Sequence, residues 1–430
     1  MSNGSAGKET PPMVSEMAEN LIGSEIIKLA GQVNSRIAQG EKIYNYTIGD
    51  FNPEVFPIPQ ELEDYVVEAY RNKQTNYPAA NGILPLREAV AAFLNRGAGL
   101  DYQPDNILIS GGGRPLIYAC YQAVVDPGDK VIFPVPSWNN NHYTHLTRGV
   151  AIEIETTPEN NFMPRAADIE PHIEDAALIA LCSPLNPTGT TFPENALLEI
   201  CELVLKENKR REGNRKPVYI LYDQLYWTLT HGKTVHSHPV GVCPEIKDYT
   251  IYIDGLSKAF AATGVRVGWS VGPDMLIGKM RSFLSHVGAW SPKPEQVATA
   301  KFLNNQSAVD NYLTSFKKSI QDRLNGFYTH FQFLKASGYP IDCIAPQAAI
   351  YLTVKIDLIG AKKSDGSVID SVQSTTSFLL NEASIAMVPF YAFGASKDSK
   401  WYRLSVGTCT IEDMHHSMEK LSSALKTLSF

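Results

Sequence analysis

The stretch Ile253-Asp254-Gly255-Leu256-Ser257-Lys258-Ala259-Phe260, followed by Thr263-Gly264-Val265-Arg266-Val267-Gly268-Trp269, decides how the rest of the chain is read. Tyr249 to Ile253 is apolar and β-branched, the composition of a buried strand. Gly, Ser and Thr then crowd a turn that carries an amine and a hydroxyl, with a guanidinium a few residues on. A lysine delivered off a buried strand sheds part of its hydration, which lowers its pKa toward the free amine. A free amine condenses with an aldehyde to a Schiff base, and Ser257 with Arg266 suits a phosphate dianion. Taken alone, the stretch also fits an exposed lysine on a strand-to-loop turn with Arg266 in a surface pair. An aldehyde and a phosphate on one ligand describe pyridoxal 5′-phosphate.

Working outward, short apolar strands alternate with helices. The pattern predicts helices over Ser24 to Gln39, Gln60 to Arg71 and Leu84 to Leu94, and a short strand over Ile43 to Thr47. It then predicts a strand over Ile107 to Ser110, a helix from Arg114 to Val125 and a strand over Lys130 to Pro134. A strand over Ala177 to Leu181, a helix from Glu194 to Lys206, and strands over Val218 to Tyr222, Tyr249 to Ile253 and Val267 to Val271 follow. Lys258 is expected at the end of the fifth of these strands. Such alternation implies a mostly parallel sheet covered on both faces, an α/β fold. After Pro292 the texture changes. A long helix is expected from Ser307 to Ala336, broken near Gly326, then a strand over Ala348 to Ile356 and a helix over Ser374 to Glu382. A strand over Trp401 to Val406 and a helix over Ile411 to Leu428 complete a smaller α+β unit.

Composition bounds the partners. The 430 residues are 44% hydrophobic and 19% charged with net charge −7, an ordinary globular balance. No extended basic stripe points to nucleic acid, and no apolar run is long enough to span a bilayer. The six cysteines form no C-x-x-C pair and read as reduced core residues of a cytoplasmic protein, with no metal site among them. Residues 1–12 are polar and rich in Gly, Ser and Pro, and are expected to be a disordered tail without a signal sequence.

Ligands of open α/β sheets bind beyond the carboxyl ends of the strands, so the residues standing there matter most. Ser110-Gly111-Gly112-Gly113-Arg114 follows one strand and opens a helix, where backbone N–H groups and the helix dipole favour an anion; a tight turn explains the glycines equally well. Trp138, in Pro136-Ser137-Trp138, can stack on a flat ring or simply pack. Asn186, in Ser183-Pro184-Leu185-Asn186-Pro187-Thr188-Gly189, offers an amide on a rigid loop. Asp223 can hold a cationic ring nitrogen or cap the next segment. Tyr226, three residues on, can bond a phenolate. Independent structural reasons for anion loop, aromatic plate, amide, carboxylate, phenol and amine at successive strand ends are hard to assemble.

These residues together resemble the class I/II, fold-type I pyridoxal-phosphate aminotransferases, with motifs running from Gly49 to Arg403. The most specific are Asn186-Pro187-Thr188-Gly189, Asp223-x-x-Tyr226, Ser257-Lys258-Ala259 with Arg266, and Tyr402-Arg403-Leu404-Ser405. The resemblance implies a seven-stranded-type, mostly parallel sheet between helices. It implies a large cofactor-binding domain at 53–292, a small domain at 293–430, and a segment 13–52 packing with the small one. It implies that Lys258 bonds the cofactor aldehyde and later shuttles the Cα proton, and that Asp223 pairs with the ring nitrogen. Asn186 and Tyr226 would bond the ring oxygen, and Trp138 would stack on the ring. Gly112, Gly113 and Arg114 amides, with Ser257 and Arg266, would hold the phosphate. Arg403 would fork onto the substrate α-carboxylate, aided by the Gly49 N–H. Tyr77, in Asn76-Tyr77-Pro78, would reach the phosphate of a neighbouring subunit, hence a homodimer. An amino acid and a 2-oxo acid would then react in turn, by ping-pong kinetics.

Substrate choice is read less directly. Gly113-Arg114 and Pro136-x-Trp138 resemble an aspartate aminotransferase subgroup whose loop lysine meets the distal carboxylate of the substrate. Arg114 stands at that lysine's position, although a helix residue facing solvent is the alternative. The chain departs from the subgroup at Pro115, at Asn139-Asn140-Asn141, at Gln347-Ala348-Ala349 and in the shorter loop Ile48-Gly49-Asp50-Phe51. Three enzymatic readings follow: an aminotransferase for aspartate or another acidic amino acid, one for aromatic or aliphatic amino acids, and a lyase or cyclopropane-carboxylate synthase on the same fold. A non-catalytic sensor of a transcription regulator is disfavoured, because no DNA-binding segment is read before the fold.

Overall fold

The computed structural model describes residues 13–21, 23 and 25–430. The tail expected at 1–12, and Ser24 at the head of the first expected helix, lie outside them. After the helix Glu25–Ala38 and the two-residue strand β1 (Tyr44–Asn45) come the helices Gln60–Arg71 and Leu84–Ala98. The chain then runs β2 (Ile107–Ser110), helix Gly113–Val124, β3 (Lys130–Val135), helix Asn140–Leu146, β4 (Val150–Glu155) and β5 (Ala176–Cys182). Helix Glu194–Arg211, β6 (Tyr219–Asp223), β7 (Thr250–Gly255), β8 (Gly268–Val271) and helix Asp274–Val287 follow. The seven strands β2 to β8 form one sheet in the order β2-β8-β7-β6-β5-β3-β4. Only β8 is antiparallel to its neighbours, β2 and β7.

Alternation of side chains assigns the two faces of this sheet to two cores. Ile179, Leu181, Ile220, Tyr222 and Tyr252 face the helices Leu84–Ala98 and Glu194–Arg211. Leu178, Ala180, Leu221, Ile251 and Ile253 face the helices Gly113–Val124 and Asp274–Val287. These strands are apolar on both sides because both sides are covered, and each fully buried Leu or Ile contributes about 1.5–3 kcal/mol. A third core surrounds the antiparallel sheet β12-β13-β10-β9, made from β9 (Ile341–Cys343), β10 (Tyr351–Ile356), β12 (Val388–Pro389) and β13 (Trp401–Ser405). The short β11 (Ile385–Ala386) pairs in parallel with β1, which ties the N-terminal segment to this unit.

Several elements differ from the sequence pattern, each for a local reason. The edge strand β4 was not expected: it is exposed along most of its length, and its apolar run stops at Ile152, after which Glu153 and Glu155 flank Ile154. The helix Asn140–Leu146 grows out of a polar run that reads as loop; Tyr143 anchors it on Tyr121 with ring centroids 5.5 Å apart. Helix Lys293–Asn304 is also additional: its inward face carries Gln296 and Thr299, which break the apolar stripe. Helix Gln306–Ala336 is continuous and shows no break at Gly326, where the missing side chain makes room for Met414 of helix Ile411–Leu425. Strand β10 begins at Tyr351 rather than Ala348. Residues 348–349 instead bond Gly189 and Leu229 beside the large sheet, with Ala349 at φ 62°. Lys258 is not at a strand end: β7 stops at Gly255, and Lys258 sits in the helical turn Leu256–Ala259. Gly255, the last residue of β7, lies against Gly268 of β8, which leaves no room for a side chain.

Candidate active site

The carboxyl ends of β2, β3, β5, β6 and β7 open onto one cavity of about 600 Å³. Gly49, Gly113, Arg114, Trp138, Asn186, Asp223, Tyr226, Ser257, Lys258, Arg266 and Arg403 all line it. Of the residues singled out in the sequence, Gly112 and Tyr77 lie outside the lining. Gly112 is buried under the Arg266 guanidinium at φ 99°, so both its backbone angle and the packed arginine exclude a side chain. Tyr77 is 82% exposed and packs edge-on against Trp290.

Lys258 and Arg266 reach across to other segments, while Asp223 is held by the loop that follows it. Lys258 Nζ donates to the Gly49 carbonyl at 2.6 Å. Burial lowers its pKa to about 8; Asp50 opposes this, while Arg403, Arg114 and Arg266 add to it. Burial also lifts the Asp223 carboxyl to about 6, opposed by the Leu225 N–H and by Lys258. Asp223 Oδ1 accepts that Leu225 N–H at 3.1 Å, which leaves Oδ2 for a cation in the cavity. Arg266 donates to the carbonyls of Thr263 at 2.7 Å and Gly111 at 2.6 Å, and so bridges the glycine loop and the lysine turn. The Arg114 guanidinium lies 5.5 Å from the Trp138 ring centroid.

Arg403 is the most constrained of these groups. It is 1% exposed on β13, donates to Asn186 Oδ1 at 2.9 Å and to the Thr47 carbonyl at 2.6 Å, and keeps an unpartnered, buried Nε. Its guanidinium lies between two rings, 4.8 Å from the centroid of Tyr351 and 4.9 Å from that of Phe393. No ion pair among the described residues involves it. A buried cation without an anion is costly, which leaves Arg403 with unmet demand for an anionic partner. Because Asn186 turns its oxygen to Arg403, its NH₂ group is the half of the amide able to donate into the cavity.

The sequence reading missed Tyr351, Phe393 and Asp50. Tyr351 gave no signal because its hydroxyl matters only through Tyr226, 125 residues away, whose own hydroxyl lies at 2.5 Å. Together the groups offer an amine, a carboxylate with a free oxygen, a glycine loop under a guanidinium, and a separate guanidinium without an anionic partner among the described residues. That donor set fits pyridoxal 5′-phosphate beside an amino acid.

Burial of Lys258 has a consequence for the cofactor-free protein. Its pKa in the fold, about 8, lies below the ordinary 10.5. Between those values the unfolded chain binds more protons, so stability is reduced below pH 8 and recovers as pH rises toward 10.5. Lys258→Met is therefore expected to exceed the wild-type apoprotein in stability at pH 7 by on the order of 3 kcal/mol. The gap should narrow steadily from pH 8 to 10 in urea unfolding; a gap independent of pH would contradict the burial of a titrating amine.

A family model described as "Aminotransferase class I and II" matches residues 54–421. The aspartate aminotransferase of Bacillus sp. (strain YM-2) is 28% identical over 389 residues, 89% of this chain and 92% of that protein. A probable aspartate/prephenate aminotransferase of Rhizobium leguminosarum bv. phaseoli is 28% identical over 376 residues, 86% of this chain and 90% of that protein. The crystal structure of the Rhizobium meliloti aspartate aminotransferase superposes with a TM-score of 0.86 at 25% identity, covering 97% of this chain and 99% of that one. The Thermus thermophilus aspartate aminotransferase with maleate gives 0.82 at 26%, over 96% and 99%. The mostly parallel sheet with helices on both faces is the fold of these enzymes. With the family model spanning most of its length and the amine, carboxylate and arginine gathered in one cavity, this chain belongs to the class I and II aminotransferases.

Proposed function

We propose that the chain moves an amino group from an acidic L-amino acid, aspartate foremost, to a 2-oxo acid. The observation that carries the reading is the buried, unpaired Arg403 sharing a cavity with Lys258 and Asp223. Bound there, the family's cofactor supplies an aldehyde and a protonated pyridine ring that accepts the electron pair left at Cα. Asp223 would hold that ring nitrogen protonated with its free oxygen. Lys258, with a pKa near 8, has the free-amine fraction needed to bond an aldehyde, and the same amine would carry the proton from Cα to C4′ as base and then acid. Tyr226 and the Asn186 NH₂ group would donate to the ring oxygen, and Trp138 would stack on the ring. Gly112, Gly113 and Arg114 amides with Ser257 and Arg266 would hold the phosphate. Arg403, with the Gly49 N–H, would orient the α-carboxylate. In this reading the protein is a cytoplasmic homodimer. Six unpaired cysteines support the compartment, and the exposed Tyr77 supports a second subunit whose phosphate it would reach.

Arg114 at the cavity wall, and relatives named for aspartate, support the acidic substrate. A dicarboxylate, maleate, was present in the Thermus structure. Amino acids offered singly with 2-oxoglutarate, with glutamate and ammonia both measured, test the whole reading. Glutamate formed fastest from aspartate supports it, whereas ammonia without glutamate assigns elimination instead. Arg114→Ala is expected to lower kcat/KM for aspartate by about 10- to 100-fold, the range of a charge-assisted hydrogen bond, and that for alanine little. Equal losses for both would mean Arg114 does not read the side chain.

A further inference from the structure

Tyr351 opens β10 and is buried beside the cavity. Its ring lies under Arg403: Thr353 is the strand partner of Arg403, so Tyr351 is the diagonal neighbour on the same face. Its hydroxyl stands 2.5 Å from that of Tyr226, and would be 2.8 Å from a Cβ placed on Gly49. One side chain thus touches the tyrosine of the cofactor, the arginine of the substrate and the loop whose carbonyl holds Lys258.

A tyrosine hydroxyl has one proton to give and two lone pairs. If Tyr226 spends its proton on Tyr351, nothing remains for the cofactor ring oxygen. If Tyr351 donates to Tyr226, that proton is freed, and the chained bonds strengthen one another in the water-poor pocket. A ring oxygen in the cavity favours the second arrangement, because it offers Tyr226 an acceptor of higher charge.

We propose that Tyr351 is a positioning residue with two separable parts: its hydroxyl directs the Tyr226 proton onto the cofactor ring oxygen, and its ring, with Phe393, fixes the plane of Arg403. This rests on the reading of Tyr226 as a donor to that oxygen. A weaker donor leaves more charge on the oxygen and makes the conjugated chromophore more basic.

The test uses the holoenzyme. Tyr351→Phe keeps the ring and removes the hydroxyl. The pH midpoint of the cofactor's visible absorbance should rise by roughly half a unit to one unit, and kcat should fall about 3- to 10-fold, each the size of one neutral hydrogen bond. The KM for the amino acid should stay nearly unchanged, because the Arg403 sandwich is intact. Tyr351→Leu removes both parts, and KM should rise as well, by about tenfold. Tyr226→Phe serves as the reference. If it moves the midpoint and Tyr351→Phe does not, the proposal is overturned and the assignment of Tyr226 stands. If neither variant moves it, the assignment of Tyr226 fails and the proposal falls with it.

Discussion

Lys258→Ala is expected to lower the rate of amino transfer by on the order of 10⁴-fold or more, with the fold intact. Lys258 is the only lysine among the residues lining the cavity, so no other amine stands ready to bond the aldehyde or carry the Cα proton. Its loss should not weaken the protein, since the amine is buried and its one hydrogen bond to the Gly49 carbonyl comes with a desolvation penalty. Single-turnover absorbance after mixing with aspartate separates the possibilities. The variant should still bind cofactor and aspartate, yet fail to reach the amine form of the cofactor. Partial recovery on adding a small primary amine would show that a missing base, not a disturbed site, is responsible. Retention of more than about one-hundredth of the rate would transfer the proton-carrying role to another group.

Asp223→Ala should be the second most damaging change, lowering kcat/KM by roughly 10²- to 10³-fold, the equivalent of losing one partner of a buried ion pair. The carboxylate ends β6 at the floor of the cavity, and its position is set by pairing with Ile253 of β7 and by the Leu225 N–H. In the proposed mechanism its loss would leave the ring nitrogen without a carboxylate partner, and the ring would accept electrons poorly. Asp223→Glu, which keeps the charge but lengthens the arm, should lose less. In the cofactor-free protein the order inverts. Burial raises the Asp223 pKa to about 6, so ionisation at neutral pH weakens the fold. The alanine variant should then melt at the same temperature or higher. A drop in both activity and apoprotein stability would make Asp223 structural.

The legible parts of this chain were those whose meaning is local. Apolar strands covered on both faces, and the loops at their ends, carry their signal in a few consecutive residues, as from Ile253 to Arg266. Where meaning depends on distant packing, the sequence was silent. β4 has only the short apolar run Val150-Ala151-Ile152 and is a strand by pairing along β3 over all six residues. Gly326 looks like a helix breaker until Met414 is seen against it. The same division runs through the site. Lys258 and Asp223 stood out by type and by the strands they follow, whereas Arg403 was singled out only through the family resemblance. The Asn186 oxygen turned to Arg403 and the Tyr226–Tyr351 contact join residues more than a hundred positions apart, and the Tyr351 and Phe393 rings reach that arginine from other segments.

Arg403 carries a practical consequence. A guanidinium beside two rings, with its Nε unmatched, answers to the concentration of any small carboxylate that can enter the cavity. Acetate, formate or citrate in a reaction mixture then competes with the substrate for the same fork. An apparent affinity measured in such a medium describes the medium as much as the enzyme, and the donors of this protein are best ranked in buffers whose anions carry no carboxylate.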